Sequence, residues 1–274
     1  MGAAMDLLNA SFPVIHSIIF LIGASSNIAL LLASFFRTPR ALTNYSIMIK
    51  IGTLNDLVAI CCDFFTMQRM AAIPGNLIYL SMGPCGLISA RACYMGYCMQ
   101  LCALIYSFYV MSASFAYRWV FFVNHNKKQK QYSDYIFLIV PLPLAAMSFT
   151  FAQADTEVLR EFLLSHAPSY LTEPGALTGH SGMTPHLIFT ILFVVFTPGP
   201  AYVVIMFCRH KIISKLRQHS TDMSERTRKM HSNLVQALTV HALLPPINII
   251  AVALYFTLFF DIYRHAALEK GTFT

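Results

Sequence analysis

Six long apolar blocks constrain this sequence more than any other feature. Each has about 20 residues or more, the length that an α-helix needs to cross the hydrocarbon of a bilayer. Charged residues make up 11% of the chain and hydrophobic residues 57%, so the chain cannot cover a globule with water-compatible surface. The sequence therefore predicts an all-α, polytopic membrane helix bundle over residues 1–260. The predicted spans lie at about 13–36, 45–66, 92–117, 133–153, 187–208 and 234–260.

Lys and Arg are divided unequally between alternate loops. Fourteen of them lie in or beside the first, third and fifth loops, and five lie elsewhere. Because positively charged loops stay in the cytosol, this division predicts an N-terminus outside the cell. The net charge of +7 therefore reports orientation, and it does not predict a nucleic-acid partner.

The predicted outer side contains few residues that indicate modification, metal binding or catalysis. Asn9, in the sequon Asn9-Ala10-Ser11, could be glycosylated or remain an unmodified polar cap. The long outer loop at 154–186 contains three His and four acids, but their irregular spacing without Cys favours a solvated loop over a metal site. The chain has no HExxH, GxSxG or paired catalytic carboxylates, so we predict no enzyme, no metal and no cofactor.

Three polar residues lie deep in the first two blocks. Asp56 is near the membrane midplane, where an unpaired carboxylate costs several kcal/mol. Asn27 lies at comparable depth, so we expect the two side chains to contact, either as a state-setting polar core or as a pair that only fixes helix packing. Asp63 lies two helical turns outward on the same face as Asp56. It could line an outward cavity or pair with Arg69 at the rim.

Two further helix faces carry polar or aromatic residues at helical spacing. They lie on the third and sixth blocks and could line a cavity open to the outside. Such a stripe is also typical of helix–helix packing. The candidate ligand-binding residues are Asp63, Tyr94, Tyr97, Gln100, Asn248 and Tyr255.

Prolines and cysteines mark other positions in the blocks. Pro198-Gly199-Pro200 and Pro245-Pro246 remove backbone donors, which predicts kinks in the fifth and sixth spans. Five of the seven Cys lie within the blocks and are interpreted as small apolar packing residues. Cys85 and Cys93 fall near the outer end of the third block, so any disulfide would have to involve those two.

The motifs resemble those of a rhodopsin-like seven-helix receptor. Asn27 and Asp56 match its polar core, and the run Ser114-Phe115-Ala116-Tyr117-Arg118 matches its Arg-bearing motif. Cys93 lies 25 residues before Arg118, the interval that such receptors use for their outer cysteine. Gly83-Pro84-Cys85 and the stretch from Ser224 to Pro246 are similar to those of nematode serpentine chemoreceptors of the Srd class. The resemblance covers roughly residues 13 to 260.

The resemblance implies a function. A member of this class would bind a small environmental molecule in an outward-facing cavity and activate a heterotrimeric G protein. It would lie in the plasma membrane of sensory neurons, and Tyr117 and Arg118 would contact the G protein.

Three departures qualify the resemblance. The acid that usually precedes the Arg is Tyr117 here, and the long outer loop has no Cys, so Cys93 could pair only with Cys85. The class has a seventh span, whereas residues 261–274 form a short polar tail that we interpret as a truncated or alternative end. A non-functional truncated receptor product is therefore one alternative, and a small membrane transporter or channel is another. A transporter would require inverted repeats and more paired intramembrane charges.

Overall fold

The computed structural model describes residues 2–36, 43–73, 76–123, 153–166, 175–180 and 184–218, with a few isolated positions between 168 and 250. These residues are mostly α-helical, as predicted, and they also form a small sheet that the sequence did not predict. The helices are α1 (Gly2–Phe36), α2 (Thr43–Thr66), α3 (Ala90–Val123), α4 (Thr156–His166), α5 (Pro185–Phe196) and α6 (Pro198–Gln218). The strands are β1 (Gln68–Ile73), β2 (Asn76–Ser81) and β3 (Ala176–His180).

Three of the described helical stretches are long and apolar enough to cross a membrane, namely Ala10–Phe36, Ala90–Tyr117 and Pro185–Ser214. Each coincides with a predicted block. α2 covers the block at 45–66 with 24 residues, and it is less apolar because it carries three charged side chains. The blocks at 133–153 and 234–260 and the tail at 261–274 lie outside the described residues, apart from isolated positions.

The helices pack largely in chain order. α1 contacts α2, α2 contacts α3, and α3 contacts α6. The first of these interfaces is close because Gly23 has no side chain, and a Cβ there would lie 2.8 Å from Cδ1 of Ile60. Phe20 and Phe64 stack in the same interface, with ring centroids 4.5 Å apart. Many large apolar side chains of α1 remain exposed, which is the surface that contact with lipid requires.

The predicted fifth span is interrupted at the Pro-Gly-Pro sequence. α5 ends at Phe196 and α6 begins at Pro198. Thr197 between them keeps helical backbone angles (φ −63°, ψ −43°). The helix is therefore interrupted by missing hydrogen bonds and not by a change of backbone conformation at Thr197. Pro198 and Pro200 have no N–H, and two carbonyls one turn earlier therefore have no intrahelical donor. The kink predicted at Pro245-Pro246 lies outside the described stretches.

A three-stranded antiparallel sheet lies at the end of the bundle where α2 ends and α3 begins, which we call the sheet end. β1 and β2 form a hairpin, and β3 pairs with the other edge of β2. One face of the sheet packs against α3, where Leu77 and Tyr79 join a buried cluster with Tyr94 and Tyr97. The other face packs against α4. The sheet thus joins two segments that are about 100 residues apart in the chain.

The prediction of a solvated loop at 154–186 is wrong for much of that segment. Leu159 and Leu163 of α4 are buried against Ile78 of the sheet, and His180 of β3 is also buried. The physical reason is that α4 is short and amphipathic, with charges on one face, so its apolar face has too few residues to stand out in the sequence.

The β2–β3 pairing depends on a glycine. Gly179 has φ +155°, and a Cβ at this position would overlap the carbonyl oxygen of Leu77. Any residue other than glycine is strained at such a φ, and its Cβ has no room here. Gly179 therefore allows the two backbones to approach closely.

Cys85 and Cys93 form a disulfide eight residues apart. The link joins the 3-10 turn Pro84–Leu87 to the first turn of α3, and both cysteines are fully buried. A Cβ at the preceding Gly83 would overlap the carbonyl oxygen of Phe65, so the turn sits tightly on the end of α2. The disulfide fixes the start of α3 and includes no residue of β3.

Candidate ligand site at the sheet end

Asp63 lies at the centre of a polar group that joins three helices. Its Oδ2 accepts a hydrogen bond from Nδ1 of His16 in α1, at 2.8 Å. Its Oδ1 accepts one from Nε2 of Gln100 in α3, at 2.9 Å. These two bonds engage both carboxylate oxygens of Asp63, and the alternative pairing with Arg69 stays a prediction. We call these three residues the polar triad.

The polar triad is partly accessible. The side chain of Asp63 is 27% exposed and that of His16 is 16% exposed. A carboxylate that accepts two hydrogen bonds and still reaches the surface can bind a further donor without first breaking the bonds it has.

Removal of the Asp63 carboxylate should destabilise the helix contacts. Asp63→Ala leaves the His16 and Gln100 donors without their partner, which should cost about 1–3 kcal/mol of unfolding free energy. Asp63→Asn keeps the shape and should cost less. Thermal denaturation of the purified protein measures the loss, with Glu161→Ala on the exposed face of α4 as the control. Equal stability of Asp63→Ala and the control would show that the triad does not support the fold.

The aromatic residues predicted on α3 are packed beneath the sheet. Tyr94 and Tyr97 are buried, and Tyr97 lies 4.7 Å from the Tyr79 ring, centroid to centroid. The hydroxyl of Tyr94 lies 3.2 Å from Nε2 of His180. We call Tyr79, Tyr94, Tyr97 and His180 the aromatic cluster. The sheet covers these side chains, so a ligand would reach them only if the sheet moved.

The two groups meet on α3. Gln100 of the polar triad follows Tyr97 of the aromatic cluster by three residues, which places both on one side of the helix. The structure thus brings together four of the six candidate ligand-binding residues, namely Asp63, Tyr94, Tyr97 and Gln100. The other two, Asn248 and Tyr255, lie outside the described residues. Asn9 lies within α1, and its side chain is outside the description.

The midplane polar residues have partners other than each other. Asn27 donates to the carbonyl of Gly23 in its own helix, at 2.9 Å. Asp56 accepts a hydrogen bond from Ser107 of α3, at 3.0 Å. Asn55 donates to the same Ser107 hydroxyl, at 2.8 Å. Asp56 thus links α2 to α3, and the expected Asn27–Asp56 contact stays a prediction.

The opposite end of the bundle is apolar inside and basic along α6. Phe115 packs with Ile205, Cys208 and Ile212 of α6 in a buried cluster. Tyr117 and Arg118 follow within α3, which continues to Val123. Arg209, His210 and Lys211 lie next to this cluster on α6. Positive charge is therefore concentrated at the end opposite the sheet.

Comparison with known proteins identifies the family. Residues 12–274 match the model of the serpentine type 7TM GPCR chemoreceptor Srd. The chain belongs to the Srd family. It is 28% identical to serpentine receptor class delta-19 of Caenorhabditis elegans over 96% of this chain and 79% of that one. It is 30% identical to serpentine receptor class delta-18 of the same organism over 96% of this chain and 80% of that one. No solved structure matches the chain at a significant level.

Membership of the Srd family confirms the predicted resemblance and the helical membrane bundle. The family is a class of chemoreceptors and not a class of enzymes. In the part of the chain that the structure describes, no three His, Cys, Asp or Glu side chains come together as metal ligands.

Sequence analysis did not identify several residues that form polar contacts in this Srd protein. His16 is one polar residue among many apolar ones in the first block. Asp63, which it contacts, is 47 residues away in the sequence, so no local spacing indicated the pairing. Asn55 and Ser107 are common helix-packing residues. The useful signal would have been that each deep acid needs a donor on a neighbouring helix.

Proposed function

We propose that this protein is a chemosensory receptor that binds a small environmental molecule at the sheet end and activates a heterotrimeric G protein. Membership of a chemoreceptor family supports the class of function. The observation that carries the proposal is the polar triad, in which one partly exposed carboxylate joins α1, α2 and α3. A small molecule at this point would contact three helices at once.

Ligand binding would change how these helices pack. A ligand can shift a two-state bundle only if it binds one state more tightly than the other. A donor that competes with His16 or Gln100 for Asp63 would weaken a contact between α2 and one of its neighbours. Coupling between the ends would then run along α2 and α3, which are also joined through Asp56 and Ser107.

The end opposite the sheet suits an acidic partner. Tyr117 and Arg118 lie near the end of α3, and Arg209 and Lys211 lie on the adjacent helix. These residues would meet the G protein in the cytosol. The same charges also suit anionic lipid at the inner membrane surface.

This function requires the sheet end to face outward in the plasma membrane of a sensory neuron, with the N-terminus outside. The charge division between loops supports that orientation. We expect Ser220→Cys, in a background without other reactive cysteines, to react with a membrane-impermeant thiol reagent only after the cells are permeabilised. Reaction at position 220 in intact cells would reverse the proposed topology.

The test of function is nucleotide exchange. The full chain is reconstituted in lipid vesicles with a heterotrimeric G protein and exposed to a panel of small volatile and water-soluble molecules. We expect at least one molecule to accelerate GTP uptake, and Asp63→Asn to reduce that response more than Glu161→Ala does. A molecule-dependent ion current without any G protein would instead favour the transporter or channel alternative. If no molecule of the panel changes GTP uptake or ion current, the non-functional alternative is favoured.

A further inference from the structure

The sheet face that meets α3 carries three neutral polar side chains in addition to Tyr79 and His180 of the aromatic cluster. In antiparallel strands, residues directly opposite each other point to the same face. Gln68 is opposite Ser81, and Tyr79 is opposite Thr178. Tyr79 packs against Tyr97 of α3, which identifies this face as the one turned toward the helix. Gln68, Ser81 and Thr178 therefore lie on the face that covers the aromatic cluster.

Among the residues that the structure describes, the polar atoms of these three residues have no hydrogen-bond partner. Both amide atoms of Gln68, the hydroxyl of Ser81 and the hydroxyl of Thr178 are buried and unpaired. Ser81 is 2% exposed and Thr178 is 1% exposed. A buried polar group without a partner costs free energy and is rare in folded proteins. Three on one small face call for a functional explanation.

The opposite face of the same sheet does not show this feature. Ile78 and Leu177 lie there and pack against Leu159 and Leu163 of α4. Apolar residues thus form the contact between this face of the sheet and α4. Packing alone does not explain the polar groups on the other face, because Ala or Val would fill similar volumes at positions 81 and 178 without the cost.

We propose that Gln68, Ser81 and Thr178 form the polar wall of a ligand subsite between the sheet and α3. This inference deepens the proposed receptor function and rests on it. An amide and two hydroxyls offer both donors and acceptors. Tyr94 and Tyr97 of α3 form the opposite wall, and Tyr79 and His180 lie beside the three polar residues on the sheet. These aromatic rings suit a flat apolar group. The subsite fits an uncharged small molecule that combines a flat ring with a hydrogen-bond donor and acceptor.

Gln68, Ser81 and Thr178 offer no counter-ion to an ionised ligand. None of the three polar residues carries a charge, and a charged group buried without a counter-ion is strongly disfavoured. Arg69 is opposite Leu80 and therefore lies on the other face of the sheet. The guanidinium of Arg91 lies 5.9 Å from the centroid of the Tyr94 ring, and Arg91 also donates to Gln153. It stands at the exposed edge of the cluster.

The subsite is closed in this structure. Because its polar atoms are inaccessible, a molecule can reach them only when the sheet separates from α3. β3 is attached to β2 by strand pairing and to α3 by the contact between Tyr94 and His180. These attachments are non-covalent and therefore reversible. Opening of the sheet would remove the aromatic contacts, and the ligand would supply the hydrogen bonds that the closed form lacks.

Four probes of similar size separate the required chemistries. Benzamide is neutral and has a donor and an acceptor, benzoate is an anion, benzylamine is a cation at neutral pH, and toluene is apolar. Each is added at millimolar concentration to the purified full chain, and the thermal unfolding midpoint is measured. A ligand that binds the folded state raises this midpoint. We expect benzamide to raise it and the other three to have little effect.

Isosteric variants test the polar wall. Thr178→Val and Gln68→Leu should weaken the apparent affinity for benzamide about tenfold and should not lower the unfolding midpoint without a probe, since neither residue loses a partner. Thr190→Val is the matched control, because Thr190 is equally buried but donates to the carbonyl of His186. It should lower the midpoint slightly and keep the benzamide effect.

Four results would overturn the subsite. Benzamide binding that persists in Thr178→Val and Gln68→Leu would place it elsewhere, and an equal effect of toluene would show that the polar wall has no role. No effect of benzamide, with a higher midpoint in Thr178→Val, would mean that these groups are only poorly packed or hydrated. A G-protein response to a charged molecule alone would also overturn the subsite, while leaving the receptor function intact.

Discussion

Arg118→Ala should abolish ligand-evoked nucleotide exchange by the G protein while ligand binding at the sheet end persists. Arg118 lies near the end of α3, in the only SF-x-YR run of the sequence. A guanidinium can form paired, charge-assisted hydrogen bonds to an acidic or carbonyl-lined partner surface, and Ala forms none. Arg118→Lys keeps the charge without the planar fork, so it should retain part of the response.

The measurement is the rate of GTP uptake in reconstituted vesicles with an activating molecule found in the panel. The control is Arg160→Ala, which removes an exposed Arg from α4 at the sheet end. We expect the control to respond as the unmodified protein does. A full response from Arg118→Ala would show that the motif does not contact the G protein.

Gly179→Ala should disrupt the pairing of β3 with β2. The added methyl would overlap the carbonyl oxygen of Leu77, and the φ of +155° is strained for alanine. Both effects act within a strand pair of only five residue pairs, so we expect a loss of about 3 kcal/mol or more and a large fall in correctly folded protein. Surface expression and thermal unfolding measure this loss.

Gly182→Ala separates the cost of backbone strain from the cost of atomic overlap. Gly182 also has a positive φ, at +73°, but a Cβ there would meet no atom within 4 Å. It should therefore show only the smaller cost of backbone strain, about 1 kcal/mol. If both variants lost the same amount of folded protein, close approach at Gly179 would not be what matters.

The membrane helices could be predicted because their signal is local. A block of about 20 apolar residues identifies a spanning helix regardless of what it packs against, and Pro-Gly-Pro marks the interruption at Thr197 by removing donors. The family resemblance came from short motifs that are likewise readable in one stretch. These features do not depend on contacts between distant residues.

The sheet could be predicted only in part. Pro74-Gly75 between two short apolar runs is a turn signal, and a hairpin there was within reach of sequence analysis. The pairing of β3 was not, because its register with β2 depends on residues about 100 positions away. The partners of Asp56 and Asp63 were missed for the same reason. A sequence shows that a deep carboxylate needs a donor, but not which of several neighbouring helices supplies it.

The length of α3 has a mechanical consequence. Tyr94 and Arg118 are 24 residues apart in one uninterrupted helix, a distance of about 36 Å at 1.5 Å per residue. The disulfide ties the first turn of this helix to the 3-10 turn, which packs on the end of α2, so the start of the helix is held when the sheet shifts. We expect α3 to transmit such a shift as a rigid rod. The neighbouring span, formed by α5 and α6, would instead bend at Thr197. It is therefore the flexible helix of the pair, and α3 is the stiff one.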